Sequence, residues 1–229
     1  PALGLRGIRY SLINIDIFKT QLNAIFKVIE SEKKKIRILL PMISNIDEID
    51  KSLFIIDEVR KNYSIDSNLL SVGVVIETPS AVLLVEEISK KVNFISVGTN
   101  DLIQYTLAAD RTNETLENII SHYQPSVVRM LNLISDKVPA NTYISICGEM
   151  ANDINCLPLF IAMGVRELSM NYYSIPRIKS AIHDLSFNDC VDTVKHCLNL
   201  TSHEEIKNEL SQLIRNKMKG YDSMMDYQV

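Results

Sequence analysis

Asn93-Phe94-Ile95-Ser96-Val97-Gly98-Thr99-Asn100-Asp101-Leu102 is the stretch on which the fold turns. Phe94 to Val97 has the length and apolar composition of a buried strand. Gly98 then frees the backbone for a sharp turn and a close approach to a ligand. Thr99, Asn100 and Asp101 follow in a row. Asn100 can both donate and accept hydrogen bonds, and Asp101 offers a carboxylate suited to a hard metal ion. Taken alone, the same residues fit an ordinary strand-to-helix turn with Asp101 as its N-cap.

Working outward, the pattern recurs. Ile36 to Met42 reads as a buried strand stopped by Pro41, and Val72 to Ile76 as another, ended by Glu77. Tyr143 to Ile146 is a strand broken at Cys147-Gly148-Glu149, and Glu167 to Met170 is a short one before Asn171. Helical stretches lie between. They cover Ile15 to Ile29, Ile46 to Val59 behind a capping box at Ser44 and Asp47, and Thr78-Pro79 to Lys90 or Lys91 with Thr78 as N-cap. Further helices are expected over Leu102 to Ala109, Leu116 to Ile120, Val127 to Ile134, Leu157 to Met163 and Ser174 to His183. The tail predicts two more, over 187–199 and 202–218, the second capped by Ser202, and a frayed end at 222–229.

Strands alternating with helices demand a parallel sheet, either open and doubly wound or closed as a (β/α)8 barrel. Each strand is apolar until its C-terminal end, where Glu77, Asn100 with Asp101, Cys147 with Glu149, or Asn171 stands. All strand ends converge in a barrel, whereas an open sheet uses only those near its switch point, so the pattern favours the barrel. No G-x-G-x-x-G or G-x-x-x-x-G-K stretch is present, which lowers a nucleotide-binding reading.

The 229 residues are 46% hydrophobic, enough for a sizeable core. A net charge of −4, with no basic run beyond Lys33-Lys34-Lys35, argues against nucleic acid as a partner. Cys147, Cys156, Cys190 and Cys197 show no C-x-x-C pairing and no disulfide framework, so a reducing cytoplasm is the expected location. No apolar run approaches the length of a membrane span. The first residue is Pro1, which raises the expectation of a fragment.

Glu77 and Asp101 are expected as two carboxylates on neighbouring strand ends, a hard-oxygen site suited to Mg²⁺. Arg6, flanked by glycines, and Arg111 can each grip an anion with bidentate geometry, though either alone reads more readily as a surface arginine. Cys147, beside Gly148, reads as a nucleophile, an acid or a small buried hydrophobe. His122, His183, His196 and His203 lie away from the strand ends and read as helix or surface residues.

These segments carry a family likeness. PALGLRGIR (1–9), ILLPM (38–42), VIETPSA (75–81), FISVGTNDLIQYTLAADRTNE (94–114), CGEMAND (147–153) and ELSMNYYSIPRIK (167–179) resemble the C-terminal domain of Enzyme I of the bacterial phosphotransferase system, phosphoenolpyruvate–protein phosphotransferase. The nitrogen-regulatory paralogue of that enzyme is an equal candidate. The resemblance implies a phosphoenolpyruvate-type (β/α)8 barrel over 1–185, followed by a helical extension of the same domain over 186–229. It implies Mg²⁺ ligands at Glu77 and Asp101. Arg6, Asn100 and Arg111, with the backbone at Gly98 and Thr99, match the residues that hold phosphoenolpyruvate. Cys147 matches the acid that protonates the methylene carbon as pyruvate forms. The family hands the phosphoryl group to a histidine of its own N-terminal domain and then to a histidine phosphocarrier protein, and it forms homodimers.

Asn152 departs from the Gly usual at that place in CGEMAND, a change that tolerance of left-handed backbone by Asn would soften. A full barrel takes about 250 residues, so about two strands are expected to be missing before Pro1, and the chain alone is expected not to complete phosphotransfer. Other readings remain: a pyruvate phosphate dikinase or phosphoenolpyruvate synthase, a barrel enzyme acting on carbon–carbon bonds through Mg²⁺-enolpyruvate, or a non-catalytic dimerisation module.

Overall fold

The computed structural model describes residues 2–116 and 118–218. The chain divides into two compact units, residues 1–97 with 138–143 and residues 98–137 with 144 onward. Five strands, each parallel to its partner, alternate with helices in the parallel α/β arrangement that the sequence pattern demands.

The first unit holds α1 (Ile8–Ile13), α2 (Ile15–Glu32), β1 (Ile36–Leu40), α3 (Ile46–Arg60), β2 (Leu70–Ile76), α4 (Pro79–Leu83), α5 (Val85–Ser89) and β3 (Phe94–Gly98) up to Val97. β2 pairs with β1 from Ile36↔Leu70 to Leu40↔Val74, and with β3 from Gly73↔Phe94 to Ile76↔Val97. Val72 to Ile76 and Phe94 to Val97 are buried without interruption. Parallel strands covered on both faces read in just this way, as apolar runs and not as alternations. α2 lays Phe18, Leu22, Phe26 and Ile29 on one stripe and packs on α3. Burying each such side chain stabilises the fold by about 1.5–3 kcal/mol.

Three local expectations change. The capping box before α3 is Asn45 with Glu48, not Ser44 with Asp47. Glu48 Oε2 accepts the Asn45 N–H at 3.2 Å and the Ser44 N–H at 2.7 Å. One helix expected after Thr78 is two, broken at Leu84. Its start is as expected, with the Thr78 hydroxyl accepting the Ala81 N–H and Pro79 in the first turn. β1 stops at Leu40, before Pro41, whose missing N–H cannot extend a ladder.

The second unit holds α6 (Thr99–Leu107), α7 (Pro125–Lys137), β4 (Tyr143–Cys147) from Ile144, α8 (Leu157–Ala162), β5 (Glu167–Leu168), α9 (Ile175–Asp184), α10 (Phe187–Cys197) and α11 (His203–Lys217). β4 and β5 pair at Ser145↔Glu167 and Ile146↔Leu168. α10 packs on both α8 and α11, and α11 buries Ile206, Leu210 and Ile214. β5 is two residues long where four were expected, because Ser169 makes the last ladder bond, to Ile146 O. The helix expected over 116–120 is a short 3-10 turn, Glu114–Leu116, and Glu117 lies outside the described residues. The frayed end expected at 222–229 also lies outside them. Among the described residues, no helix is long and apolar enough to cross a membrane.

Candidate active site at the strand ends

In the first unit the site is built around Met42, two residues beyond β1. Met42 has a φ of 60°, in the left-handed region that a non-glycine side chain rarely enters. Such strain persists only where the surroundings enforce it, and three contacts do so here. The Met42 N–H donates to Glu77 Oε1 at 2.6 Å. The Ile8 N–H donates to Pro41 O at 3.2 Å. Gly7, at φ 57°, lies against the Met42 side chain so closely that a Cβ there would sit 2.9 Å from Met42 Cβ and Cγ. The loop that carries Arg6 is thereby held to the end of β1, and Glu77 is held to the same residue. Glu77 is 7% exposed. The next residue, Thr78, ties its hydroxyl to Ile43 O at 2.9 Å, so the whole turn after β2 is fastened to the turn after β1.

In the second unit, α6 starts at Thr99, three residues earlier than expected, and Asn100 and Asp101 occupy its first turn. Gly98 is the N-cap residue, so Asp101 is not the cap. A carboxylate in a first turn is favoured by the helix dipole whatever else it does. Thr99 is fully buried, and its hydroxyl donates to Cys147 O at 3.0 Å. Asn100 Oδ1 accepts the Glu149 N–H at 2.9 Å. Between them Gly148 takes φ 102° and ψ −179°, a backbone region that is essentially glycine-only. The turn after β3 and the turn after β4 are therefore joined through Thr99, Asn100, Cys147 and Glu149. Cys147 is half-buried, while Cys156, Cys190 and Cys197 are buried.

Arg111 enters through its backbone. Its N–H donates to the buried Gln104 Oε1 at 3.1 Å, and its side chain is exposed in the polar turn after α6. Asn152 does not use left-handed backbone; it closes the 3-10 turn Glu149–Asn152, so the Gly-to-Asn departure needs no special φ. Two residues were missed. Tyr123 and Asp153 form a short hydrogen bond, with His122 Nδ1 3.5 Å from Asp153 Oδ2. The sequence alone reads His122 as a helix or surface residue. The available signal was Asp153 itself, an acidic residue a few positions beyond a strand-end cysteine.

Parallel strands whose C-terminal ends carry carboxylates, an amide and a thiol define an α/β protein with candidate ligand-binding residues at its strand ends. The chain belongs to the family of PEP-utilising enzymes, in its PEP-binding domain, whose family model matches residues 1–187. It is 35% identical over 224 residues to the phosphoenolpyruvate-protein phosphotransferase of Latilactobacillus sakei, covering 96% of this chain and 38% of that protein. It is 36% identical over 225 residues to the protein of the same name from Buchnera aphidicola, covering 94% and 38%. A Salmonella typhimurium protein named phosphoenolpyruvate-dependent phosphotransferase system is 32% identical over 225 residues, covering 96% and 30%. The chain thus spans only 30–38% of the length of these curated relatives. The resemblance carried by the strand-end motifs extends over nearly the whole chain.

Proposed function

We propose that this chain binds phosphoenolpyruvate with Mg²⁺ as the substrate domain of a phosphoenolpyruvate–protein phosphotransferase. The observation that carries the reading is the junction of the two strand-end turns. Thr99 and Asn100 hold the loop of Cys147 through side-chain bonds at 3.0 and 2.9 Å. A proton donor and an anion-binding turn are useful together only if the same ligand meets both.

Glu77 and Asp101 would hold Mg²⁺. Both offer hard carboxylate oxygens, with no thiolate or imidazole in the pair, which is the donor chemistry that this ion requires. Bound there, the ion would neutralise charge on the phosphate and the enolate. Arg6, Asn100 and Arg111 hold the phosphate and carboxylate of the substrate, and the backbone at Gly98 and Thr99 lies against it. Guanidinium groups suit both anions because each can make two parallel bonds. Phosphoryl transfer asks for this positioning and charge more than for covalent help. As the P–O bond to the enol oxygen breaks, the phosphoryl group passes to an imidazole nitrogen outside this chain. Cys147 then gives its S–H proton to the methylene carbon, the enolate becomes pyruvate, and solvent reprotonates the thiolate. The phosphoryl group moves on to a histidine phosphocarrier protein, in the cytoplasm, from a homodimeric enzyme.

The test is thermal unfolding of the chain with phosphoenolpyruvate, Mg²⁺, or both. At a hundredfold excess over the dissociation constant, binding adds about 2.7 kcal/mol, which raises the melting temperature by roughly 5–10 °C. Glu77→Gln with Asp101→Asn abolishes the Mg²⁺-dependent part of that rise. A rise of equal size without Mg²⁺, or none with both ligands, overturns the reading.

A further inference from the structure

From Cys147 to Cys156 the chain makes two 3-10 turns, Glu149–Asn152 and Ile154–Cys156. Turns of this kind hold themselves poorly, so the side chains that grip the loop decide where the Cys147 thiol stands. Thr99 and Asn100 grip its near end. Asp153 grips its far end. Asp153 Oδ1 accepts the Asn155 N–H at 3.0 Å. Its Oδ2 accepts the Tyr123 hydroxyl in a short bond, and His122 Nδ1 lies 3.5 Å from that same oxygen. Tyr123 is 6% exposed, so removing its acceptor would leave a hydroxyl stranded among apolar neighbours. A second tie runs through Asn152, whose Oδ1 accepts the Asn171 N–H at 3.3 Å and whose carbonyl accepts the Arg177 guanidinium at 3.0 Å.

We propose that Asp153 is a positioning residue for Cys147: by holding Tyr123 and His122 ahead of α7, it fixes the loop that carries the thiol. The inference rests on Cys147 being the proton donor. Burial alone would push the Asp153 carboxyl up, but bonds from His122, Tyr123 and the Asn155 N–H outweigh it and hold the carboxyl below its usual range. The carboxylate therefore persists at neutral pH as the acceptor. Burial, with Cys156 and Asp153 close by, pushes the Tyr123 phenol up, which keeps its O–H a donor. His122, Asp153 and Cys156 also bring three metal-type donor atoms within 4.8 Å of one another. Both Asp153 oxygens are already engaged, however, and burial holds the Cys156 thiol protonated. A hydrogen-bonded brace fits that arrangement better than an ion.

The chain alone allows a test through the reverse proton transfer. In D₂O with pyruvate, Mg²⁺ and inorganic phosphate, the Cys147 thiolate takes a methyl proton, the thiol exchanges it for deuterium, and deuterium returns to carbon. The loss of the pyruvate methyl signal in proton NMR reads the rate. Cys147→Ser is expected to abolish exchange; undiminished exchange in that variant, or none in the unaltered chain, overturns the proton-donor role, and the loop-holding part of the proposal is then decided by the alkylation rate of Cys147. With exchange dependent on Cys147, Asp153→Asn and Tyr123→Phe each lower its kcat about tenfold with KM for pyruvate within about twofold, a split that general loosening would not produce. If both variants exchange at the unaltered rate, the brace is overturned. Iodoacetamide supplies an independent reading, since of the four cysteines only Cys147 is not buried. Tyr123→Phe, which removes a single oxygen, raises the alkylation rate of Cys147 about fivefold if the brace holds the loop, and an unchanged rate refutes it.

Discussion

A methyl group on Gly148 would lie 2.5 Å from Thr99 Oγ1 and 2.9 Å from Asn100 Oδ1. Those are the two side-chain groups that fasten the near end of the Cys147 loop, and neither can move without breaking its bond. The backbone there also sits at φ 102°, where any Cβ is strained. Gly148→Ala is therefore expected to destabilise the chain by about 2–4 kcal/mol, read by urea unfolding, and to abolish pyruvate exchange even in the fraction that stays folded. A loss under ~0.5 kcal/mol would mean that the two turns are not joined as described. The sequence singled out a different glycine. Gly98 was read as the residue that needs freedom, yet it takes φ −86°, which other residues adopt readily. The demanding positions are Gly148 and Met42, and Met42 could not have been found, since nothing about a methionine announces a positive φ. It is imposed by Glu77 and by the close packing of Gly7.

At the scale of the element, apolar runs were the easiest feature to read and the helix starts the hardest. β2 and β3 follow from the mainly apolar runs Val72 to Ile76 and Phe94 to Val97, interrupted only by Gly73 and Ser96, because a strand covered on both faces leaves little room for polar alternation. The N-cap of α3 lies at Asn45, one residue later than the Ser44 that the sequence suggests, while the helix itself begins at Ile46 as expected. Ser44 and Asn45 both have capping chemistry, and Asp47 and Glu48 are both acidic, so composition does not separate the two registers. Reach does: the longer Glu48 side chain returns to the Ser44 and Asn45 N–H groups, while Asn45 Oδ1 takes the Glu48 N–H at 2.9 Å. Asn45→Ala is expected to cost about 1 kcal/mol, and Asp47→Ala only a few tenths through the helix dipole, both measured by urea unfolding. Equal losses would contradict this register. The short β5 was overestimated for a related reason: its end is set by where the partner β4 stops offering carbonyls, and a single strand's sequence does not hold that information.

At the scale of the whole molecule, buried ionisable groups limit the pH range over which the fold is stable. On the acid side the folded Asp153 carboxyl lies below its usual range, so its contribution is present above the unfolded carboxylate value of about 3.9 and is lost as pH falls through the folded value. On the alkaline side, Cys190 and Cys197 of α10 are buried among the helices of the second unit, and burial pushes each thiol from 9.0 up to about 11. A raised value means that the folded chain keeps protons which the unfolded chain releases. The contribution is therefore whole below pH 9.0 and is lost as pH rises through about 11. α10 packs on α8 and α11, so ionising either thiol places a charge inside the packed helices of the unit. Across that window these two groups are expected to lower the melting temperature by ~5 °C, taking roughly 2 kcal/mol for the pair. Cys190→Ala with Cys197→Ala melts lower at neutral pH because it leaves small cavities, but its melting temperature falls less steeply between the two values. Parallel melting curves for the two proteins over that range would show that the alkaline limit lies elsewhere in the molecule.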